Sequence, residues 1–114
     1  MSVSFEAIQE QYVTFEAADS AASGKPCKIT ANNTVGACAA GDKFFGVVSR
    51  VEGSVAGVIM GGYVELPYTG TTAPTVGHCA LVADGTGGVK ADAGGVQYLV
   101  CMVDAPNKII GLFL

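Results

Sequence analysis

Residues on which catalysis and metal binding usually depend are scarce in this sequence. It contains no tryptophan and one histidine, and 14% of its residues are charged. A single histidine leaves a zinc site short of ligands, because the remaining ligands would have to come from widely separated cysteines or carboxylates. The short motifs of α/β-hydrolases, zinc proteases and P-loop proteins are also absent. The sequence therefore predicts no catalytic, cofactor-binding or metal-binding residues and a function that is not enzymatic.

Positive charge is sparse and dispersed along the chain. Six lysine and arginine residues are set against ten aspartate and glutamate residues, which gives a formal net charge of -4. Binding to nucleic acid depends on clustered positive charge that neutralises phosphates. The sequence therefore predicts that nucleic acid is not a partner.

Long hydrophobic runs are missing as well. No apolar run approaches the roughly 20 residues that a membrane-spanning helix needs. The first ten residues lack the basic and apolar regions of a secretory signal, so we expect a soluble protein made in a reducing cytosol, with no membrane partner. None of the cysteines lies in a CxxC pair, and we expect free thiols that behave as small buried hydrophobic groups. They are Cys27, Cys38, Cys79 and Cys101.

The residues that are abundant favour strands. Glycine, alanine and valine supply 47 of the 114 residues, whereas leucine supplies five, a balance typical of short strands joined by tight turns. Half of the residues are hydrophobic, enough for one modest core. We predict an all-β fold, a small β-barrel or sandwich with an extended N-terminal arm. The arm is assigned to residues 1–13 and a single β-rich domain to residues 14–114.

Alternating hydrophobic residues between turn signals place the strands. Turns are expected at Gly53-Ser54, at Gly61-Gly62 and around Pro106, and an exposed loop is expected over residues 68–74. The strands are predicted at residues 11–15, 25–30, 34–38, 44–51, 55–60, 63–66, 77–83, 89–91, 96–103 and 108–114. Short strands at this spacing, separated by turn signals, are typical of a barrel or sandwich.

Two motifs invite a chemical interpretation. His78 precedes Cys79, but neighbours on a strand point to opposite faces, so the pair is a poor catalytic dyad. Cys79 is expected to face the core and His78 the surface or a subunit contact. A thiol-dependent hydrolase using Cys79 or Cys101 remains an alternative, which predicts one abnormally reactive cysteine. Residues 85–88 could be imagined as a phosphate cradle, but a β-turn is the better interpretation, since no helix is predicted after them.

Apolar segments favour assembly. The last six residues are apolar to the end, so a strand there needs cover on both faces, from the core or from another subunit. Residues 55–68 contain one ionised side chain, Glu65, so part of that surface is a candidate interface.

Four segments define the layout of residues 34–114. They are residues 41–48, 62–70, 74–85 and 109–114. Taken together, this layout resembles that of the small head decoration, or cement, proteins of tailed bacteriophages.

This resemblance implies a compact β-tulip-like or small-barrel body on the outer face of an icosahedral capsid. It implies that the protein bridges major-capsid subunits after head expansion, as a homotrimer. It also implies that the protein is made in the cytoplasm of the host bacterium and is located in the virion. The N-terminal segment would contact the capsid, and further side chains would contact subunits or partners. The arm residues are Ser2, Val3, Phe5, Ile8, Tyr12 and Val13. The further contacts are Tyr63, Tyr68 and His78.

Alternatives from other classes remain open. A glycan-binding β domain would present an exposed aromatic cluster, for which Tyr63, Tyr68 and Tyr98 are the candidates. A phage tail, baseplate or head-fibre component is the nearest structural rival and would form rings or tubes in isolation.

Overall fold

The computed structural model describes residues 11–114, which form ten β-strands arranged as a closed five-stranded barrel and a second five-stranded sheet. The barrel strands are β1 (Gln11–Ala17), β2 (Pro26–Ala31), β3 (Thr34–Ala37), β4 (Gly46–Glu52) and β5 (Val55–Gly61). The sheet strands are β6 (Tyr63–Pro67), β7 (Gly77–Ala83), β8 (Val89–Ala91), β9 (Val96–Asp104) and β10 (Ile109–Phe113). The predicted all-β class and small barrel architecture are confirmed.

The barrel closes through β1. Two hairpins, β2–β3 and β4–β5, form around Asn33 and Gly53, both in the left-handed region with φ of 57° and 59°. β1 then pairs antiparallel with β5 and parallel with β3, where Glu16 lies opposite Thr34. Closure removes the free edges that an open five-stranded sheet would expose.

The second sheet has the order β6-β10-β9-β7-β8. Its hairpins, β7–β8 and β9–β10, are those that the turn signals predict. The predicted turn at Gly61-Gly62 is not a hairpin turn, because β6 pairs with β10 rather than β5. Gly62 instead connects the barrel to the second sheet. Its φ of 99° is a left-handed backbone conformation, which favours glycine.

Two hydrophobic clusters hold these layers. One fills the barrel, and its buried members are Cys27, Val35, Val48, Ala56 and Val58. The larger cluster joins Phe44 and Val47 to the inner side chains of the second sheet, among them Leu66, Leu81 and Leu112. Burying one such side chain contributes roughly 1.5–3 kcal/mol. The larger cluster therefore makes the two layers one folded unit.

The connection before β4 adds polar contacts between the layers. The Gly41 amide donates to the Ala83 carbonyl over 2.9 Å, and the Ala83 amide donates to the Asp42 carbonyl over 2.8 Å. The Asp42 carboxylate accepts the Lys28 ammonium at 2.5 Å and the Ala39 amide at 2.8 Å. Both bonds lower the pKa of Asp42, the one from Lys28 most. The connection is thus fixed to β2 and to the end of β7.

The C-terminal strand is interior to its sheet. β10 lies between β6 and β9, and Ile110 and Leu112 are fully buried in the larger cluster. On its outer face Phe113 is half-buried and meets the Tyr63 ring edge-on, with centroids 5.5 Å apart. The core therefore covers one face of this apolar strand, and Tyr63 lies against part of the other.

Two of the six predicted arm residues belong to the described part of the chain. Ser2, Val3, Phe5 and Ile8 lie outside residues 11–114. Tyr12 and Val13 belong to β1 and lie opposite Ile59 and Val58 of β5. The expected boundary between residues 13 and 14 therefore falls inside a barrel strand, because the pairing with β5 extends to Gln11.

Candidate functional site

The paired strands β1 and β5 expose large hydrophobic side chains. Tyr12 is 57% exposed, Val13 41%, Val55 43% and Met60 37%. Isolated exposed hydrophobic residues are ordinary, but a group on neighbouring strands is a feature of contact surfaces. Tyr12 and Val55 line the same groove outside the barrel, whereas Val13, next to Tyr12 on β1, points to the other face of the strand. We call the four exposed residues the β1–β5 surface. It includes two of the six predicted arm residues and two residues from the low-charge segment 55–68.

A groove crosses the outside of the barrel beside this surface. It has a volume of about 400 Å³ and runs over Gly57, whose missing side chain leaves open space. Tyr12, Val55 and an ion pair between Arg50 and Glu52 line it. The groove combines an exposed aromatic ring with charged hydrogen-bonding groups.

Other exposed hydrophobic side chains are separate from this pair of strands. Ile29 on β2 is 52% exposed, Val76 before β7 is 65% exposed, and Leu99 on β9 is 43% exposed. Ile29 lies beside a second shallow groove at the β2–β3 turn, lined by Phe15 and residues 29–33. Ile29 is therefore a matched control for the β1–β5 surface.

Of the predicted contact residues, Tyr63 is half-buried on the outer face of the second sheet. Its hydroxyl donates to the Glu65 carboxylate over 2.8 Å. Burial and then this hydrogen bond raise the pKa of Tyr63 to about 12, so the hydroxyl stays protonated at neutral pH. Tyr63 therefore keeps some accessible surface, next to a carboxylate.

Tyr68 does not lie where a partner contact requires. It is 5% exposed and belongs to the larger core cluster. Its amide donates to the Lys108 carbonyl over 3.0 Å, which holds it against β10. The prediction that Tyr68 contacts a partner is wrong, and the exposed loop begins only at Thr69.

Tyr63, Tyr68 and Tyr98 do not form the exposed aromatic cluster that the glycan-binding alternative would require. Tyr98 is 8% exposed and stacks on Phe44 inside the core, while Tyr63 is on the opposite face of the sheet. Sequence reasoning missed Tyr12 as an exposed ring of the barrel because its place outside the barrel depends on the pairing of β1 with β5.

His78 and Cys79 point to opposite faces of β7, as predicted. His78 is exposed and lies opposite Leu99, whereas Cys79 packs against the core. The Cys79 thiol donates weakly to the Ala80 carbonyl at 3.8 Å and makes no hydrogen bond to His78. Both residues line a shallow groove of about 420 Å³ with Asp92. They share this groove without forming a nucleophile–base pair.

The four thiols are free, but their burial differs from the prediction. Cys27 is buried, Cys38 and Cys79 are half-buried, and Cys101 is exposed, because alternation along β9 places it on the face opposite Tyr98 and Val100. Burial raises the pKa of Cys27 to about 12, that of Cys38 to about 11 and that of Cys101 in the same direction. A raised pKa disfavours the nucleophilic thiolate. This opposes the use of Cys101 as a catalytic thiol.

Residues 85–88 form a loop organised by Asp84. One carboxylate oxygen accepts the Thr86 amide at 2.7 Å, the Thr86 hydroxyl at 2.8 Å and the Gly88 amide at 3.1 Å. The other accepts the Thr69 hydroxyl at 2.8 Å. Partial burial acts to raise the pKa of Asp84, but these bonds outweigh it and lower the pKa. The predicted tight turn is thus present, with a carboxylate as its organising group.

Two other features are absent from residues 11–114, a metal-binding cluster and a membrane-spanning helix. That range contains no group of three or more histidine, cysteine, aspartate or glutamate side chains able to hold a metal ion. It also contains no helix of the length and hydrophobicity that a membrane span requires. Comparison with protein-family models and with curated protein sequences finds no match to this chain.

Proposed function

We propose that this protein is a structural component of a phage virion that binds the outer surface of an expanded capsid and stabilises it by bridging major-capsid subunits. The β1–β5 surface is the observation that carries the proposal. Four large hydrophobic side chains are exposed there on paired strands of a closed barrel. The resemblance of the sequence layout to that of capsid decoration proteins supports the choice of the major capsid protein as the partner.

The physical basis of this function is a rigid contact. Because barrel pairing already orders Tyr12 and Val13, binding through them costs less conformational entropy than ordering a free segment would. The chain extends 39 by 31 Å on its broadest side, which leaves room for a contact of about 800 Å² per partner. A contact made only with the expanded shell stabilises that state by mass action.

We also propose that the protein acts on the capsid as a homotrimer, with the major capsid protein as its partner. The exposed side chains of Val76 and Leu99 supply further apolar surface for contacts between copies. His78, opposite Leu99, would lie at the margin of such a contact. Formation of rings or tubes by the isolated protein would favour the tail-component alternative.

Co-sedimentation with phage heads tests the proposal. Purified protein is added to expanded heads that lack it and to unexpanded proheads, and saturable binding is expected for the expanded heads alone. Tyr12→Ser combined with Val13→Ser should weaken binding at least tenfold. Ile29→Ser, which removes an exposed hydrophobic group from β2, is the matched control and should bind as wild type. Absence of binding to expanded heads would refute the proposal.

A shorter deletion separates the arm from the barrel. Removing residues 2–13 would take away Gln11, Tyr12 and Val13, which pair with β5, and so would damage the fold. Removing residues 2–10 leaves β1 as described. Loss of head binding in this variant, with unchanged thermal stability, would assign a capsid contact to Ser2, Val3, Phe5 or Ile8.

A glycan-binding head-fibre or tail domain is a second candidate function, because the groove over Gly57 places the Tyr12 ring beside Arg50 and Glu52. Titration of the protein with soluble bacterial oligosaccharides tests it. Tyr12→Ala and Glu52→Ala should each reduce saccharide binding, while Glu52→Ala should leave capsid sedimentation unchanged. Equal binding by wild type and both variants would exclude this groove as the glycan site.

A further inference from the structure

A cavity of about 150 Å³ lies at the seam between the barrel and the second sheet. Ser20, Lys25 and Cys38 line it from the barrel side, and the loop after β7, residues 85–88, lines it from the other side. A water molecule takes about 30 Å³ in the liquid, so the cavity has room for a small polyatomic ion. It is separate from the β1–β5 surface and from the groove over Gly57.

Lys25 supplies a positive charge without an acidic partner. The two ion pairs among residues 11–114 are Lys28 with Asp42 and Arg50 with Glu52. The aliphatic part of Lys25 lies over Gly87, where an added Cβ would be 3.0 to 3.3 Å from three of its carbon atoms. The absence of a side chain at Gly87 therefore lets the lysine lie along the cavity wall.

Ser20 adds a hydroxyl proton. Its oxygen accepts the Ala37 amide at 3.0 Å, and no acceptor for the hydroxyl proton lies among the described residues. A hydroxyl donates one hydrogen bond in addition to those that it accepts, so this proton can be given to a group in the cavity.

The loop supplies two main-chain amides. Those of Thr86 and Gly88 donate to Asp84, whereas those of Gly85 and Gly87 have no acceptor among the described residues. Gly85 and Gly87 have φ of 85° and 99°, left-handed values that glycine adopts readily, and both residues line the cavity. The four hydrogen bonds to Asp84 hold the loop in this shape.

We propose that the seam cavity binds a small oxyanion, such as inorganic phosphate or a carboxylate, through Lys25, Ser20 and the amides of Gly85 and Gly87. These groups are all hydrogen-bond donors, and one is a cation. The negative charge of the Asp84 carboxylate repels an anion, but the four hydrogen bonds that the carboxylate accepts offset part of this repulsion. Because the donors come from both layers, a bound anion ties the barrel to the second sheet.

Titration of the full chain with inorganic phosphate, followed by backbone amide NMR at constant ionic strength, tests the proposal. Saturable shifts are expected at Ser20, Gly85 and Gly87. Lys25→Gln should weaken binding at least tenfold, and Ser20→Ala should weaken it less. Lys43→Gln removes another exposed lysine and is the matched control, expected to bind as wild type.

The same titration with acetate distinguishes the two sources of the anion. Binding of phosphate but not acetate would assign the site to a free tetrahedral oxyanion. Comparable acetate binding would assign it to a carboxylate, such as one from a partner protein. The proposal is overturned if phosphate and acetate both fail to give saturable shifts, or if Lys25→Gln and Lys43→Gln bind equally well.

Discussion

The ring of Phe44 stacks on the ring of Tyr98, with centroids 4.8 Å apart and an interplanar angle of 10°. The Tyr98 hydroxyl also donates a hydrogen bond to the main-chain carbonyl of Phe44. Phe44 lies two residues before the barrel strand β4, and Tyr98 lies in β9 of the second sheet. Burial raises the pKa of Tyr98 to about 12, which keeps its hydroxyl a donor. This pair joins the two layers through one stacking contact and one buried hydrogen bond.

Tyr98→Phe should destabilise the protein while leaving the ring contact in place. The substitution removes the donor for a buried carbonyl, and an unsatisfied buried polar group costs about 1–3 kcal/mol. Urea unfolding followed by circular dichroism measures the change in free energy of unfolding.

Tyr63→Phe is the control for this measurement. Its hydroxyl bonds to the exposed carboxylate of Glu65, which water can solvate instead, so we expect a loss below about 1 kcal/mol. Equal losses in the two variants would show that the Tyr98 hydroxyl adds nothing specific to the joint between the layers.

Gly95→Ala should be strongly destabilising, and Gly57→Ala should be neutral or stabilising. A Cβ at Gly95 would lie 2.4 Å from the Leu81 carbonyl oxygen and 2.6 Å from its carbon, and the main chain there cannot move without breaking the β7–β9 pairing. We expect a cost of about 3 kcal/mol.

At Gly57 no atom lies within 4 Å of the added Cβ, and alanine in a strand is favoured over glycine by roughly 0.5–1 kcal/mol. Thermal unfolding of both variants measures the difference. A larger loss at Gly57 than at Gly95 would contradict the packing described for both positions.

Local features of the sequence predict most of the strands. The alternation of β9, the Asp104 turn and the return through Ile109 define one hairpin without reference to the rest of the chain, and the structure has it. The parallel pairing of β1 with β3 and the passage at Gly62 depend on contacts between distant residues. A single sequence carries no local signal for such pairings, so the barrel could be named as a class but not assembled strand by strand.

The same limit applies to individual surface residues. Tyr68 follows Pro67 in a segment rich in threonine and glycine, which is typical of an exposed loop, yet the Lys108 carbonyl and the core hold it inside. Cys101, by contrast, follows the buried Val100 on β9, and alternation alone places it on the outer face. His78 and Cys79 were predictable, because side-chain alternation along a regular strand is a local property.

Asp84 should make stability depend on pH in the acid range. Its pKa in the folded protein is below the ordinary value of 3.8, so the folded state holds the charged form more strongly than the unfolded state does. The stabilisation is present above the unfolded pKa and is lost as the pH falls through the lower folded pKa.

Asp84→Asn should therefore lower stability at pH 7 and reduce the loss of stability on acidification. The free energy of unfolding, measured in urea from pH 6 to pH 2, gives the slope for each protein. Asp42, whose pKa is also lowered, keeps its contribution in the variant, so the slope should fall without vanishing. An unchanged slope would mean that the hydrogen bonds to Asp84 do not favour its charged form.

Cys101 should be the first thiol to react with iodoacetamide, and Cys27 the last. Cys101 is exposed, whereas Cys27 is buried in the barrel and donates to the Gly46 carbonyl at 3.5 Å. Because the pKa of Cys101 is raised above 9.0, its thiolate fraction at neutral pH is small, and its rate should rise about tenfold per pH unit between pH 7 and 9. Mass spectrometry of peptides at timed intervals measures each rate. A fast, pH-independent reaction of Cys101 at pH 7 would indicate a stabilised thiolate and would return the thiol-hydrolase alternative to consideration.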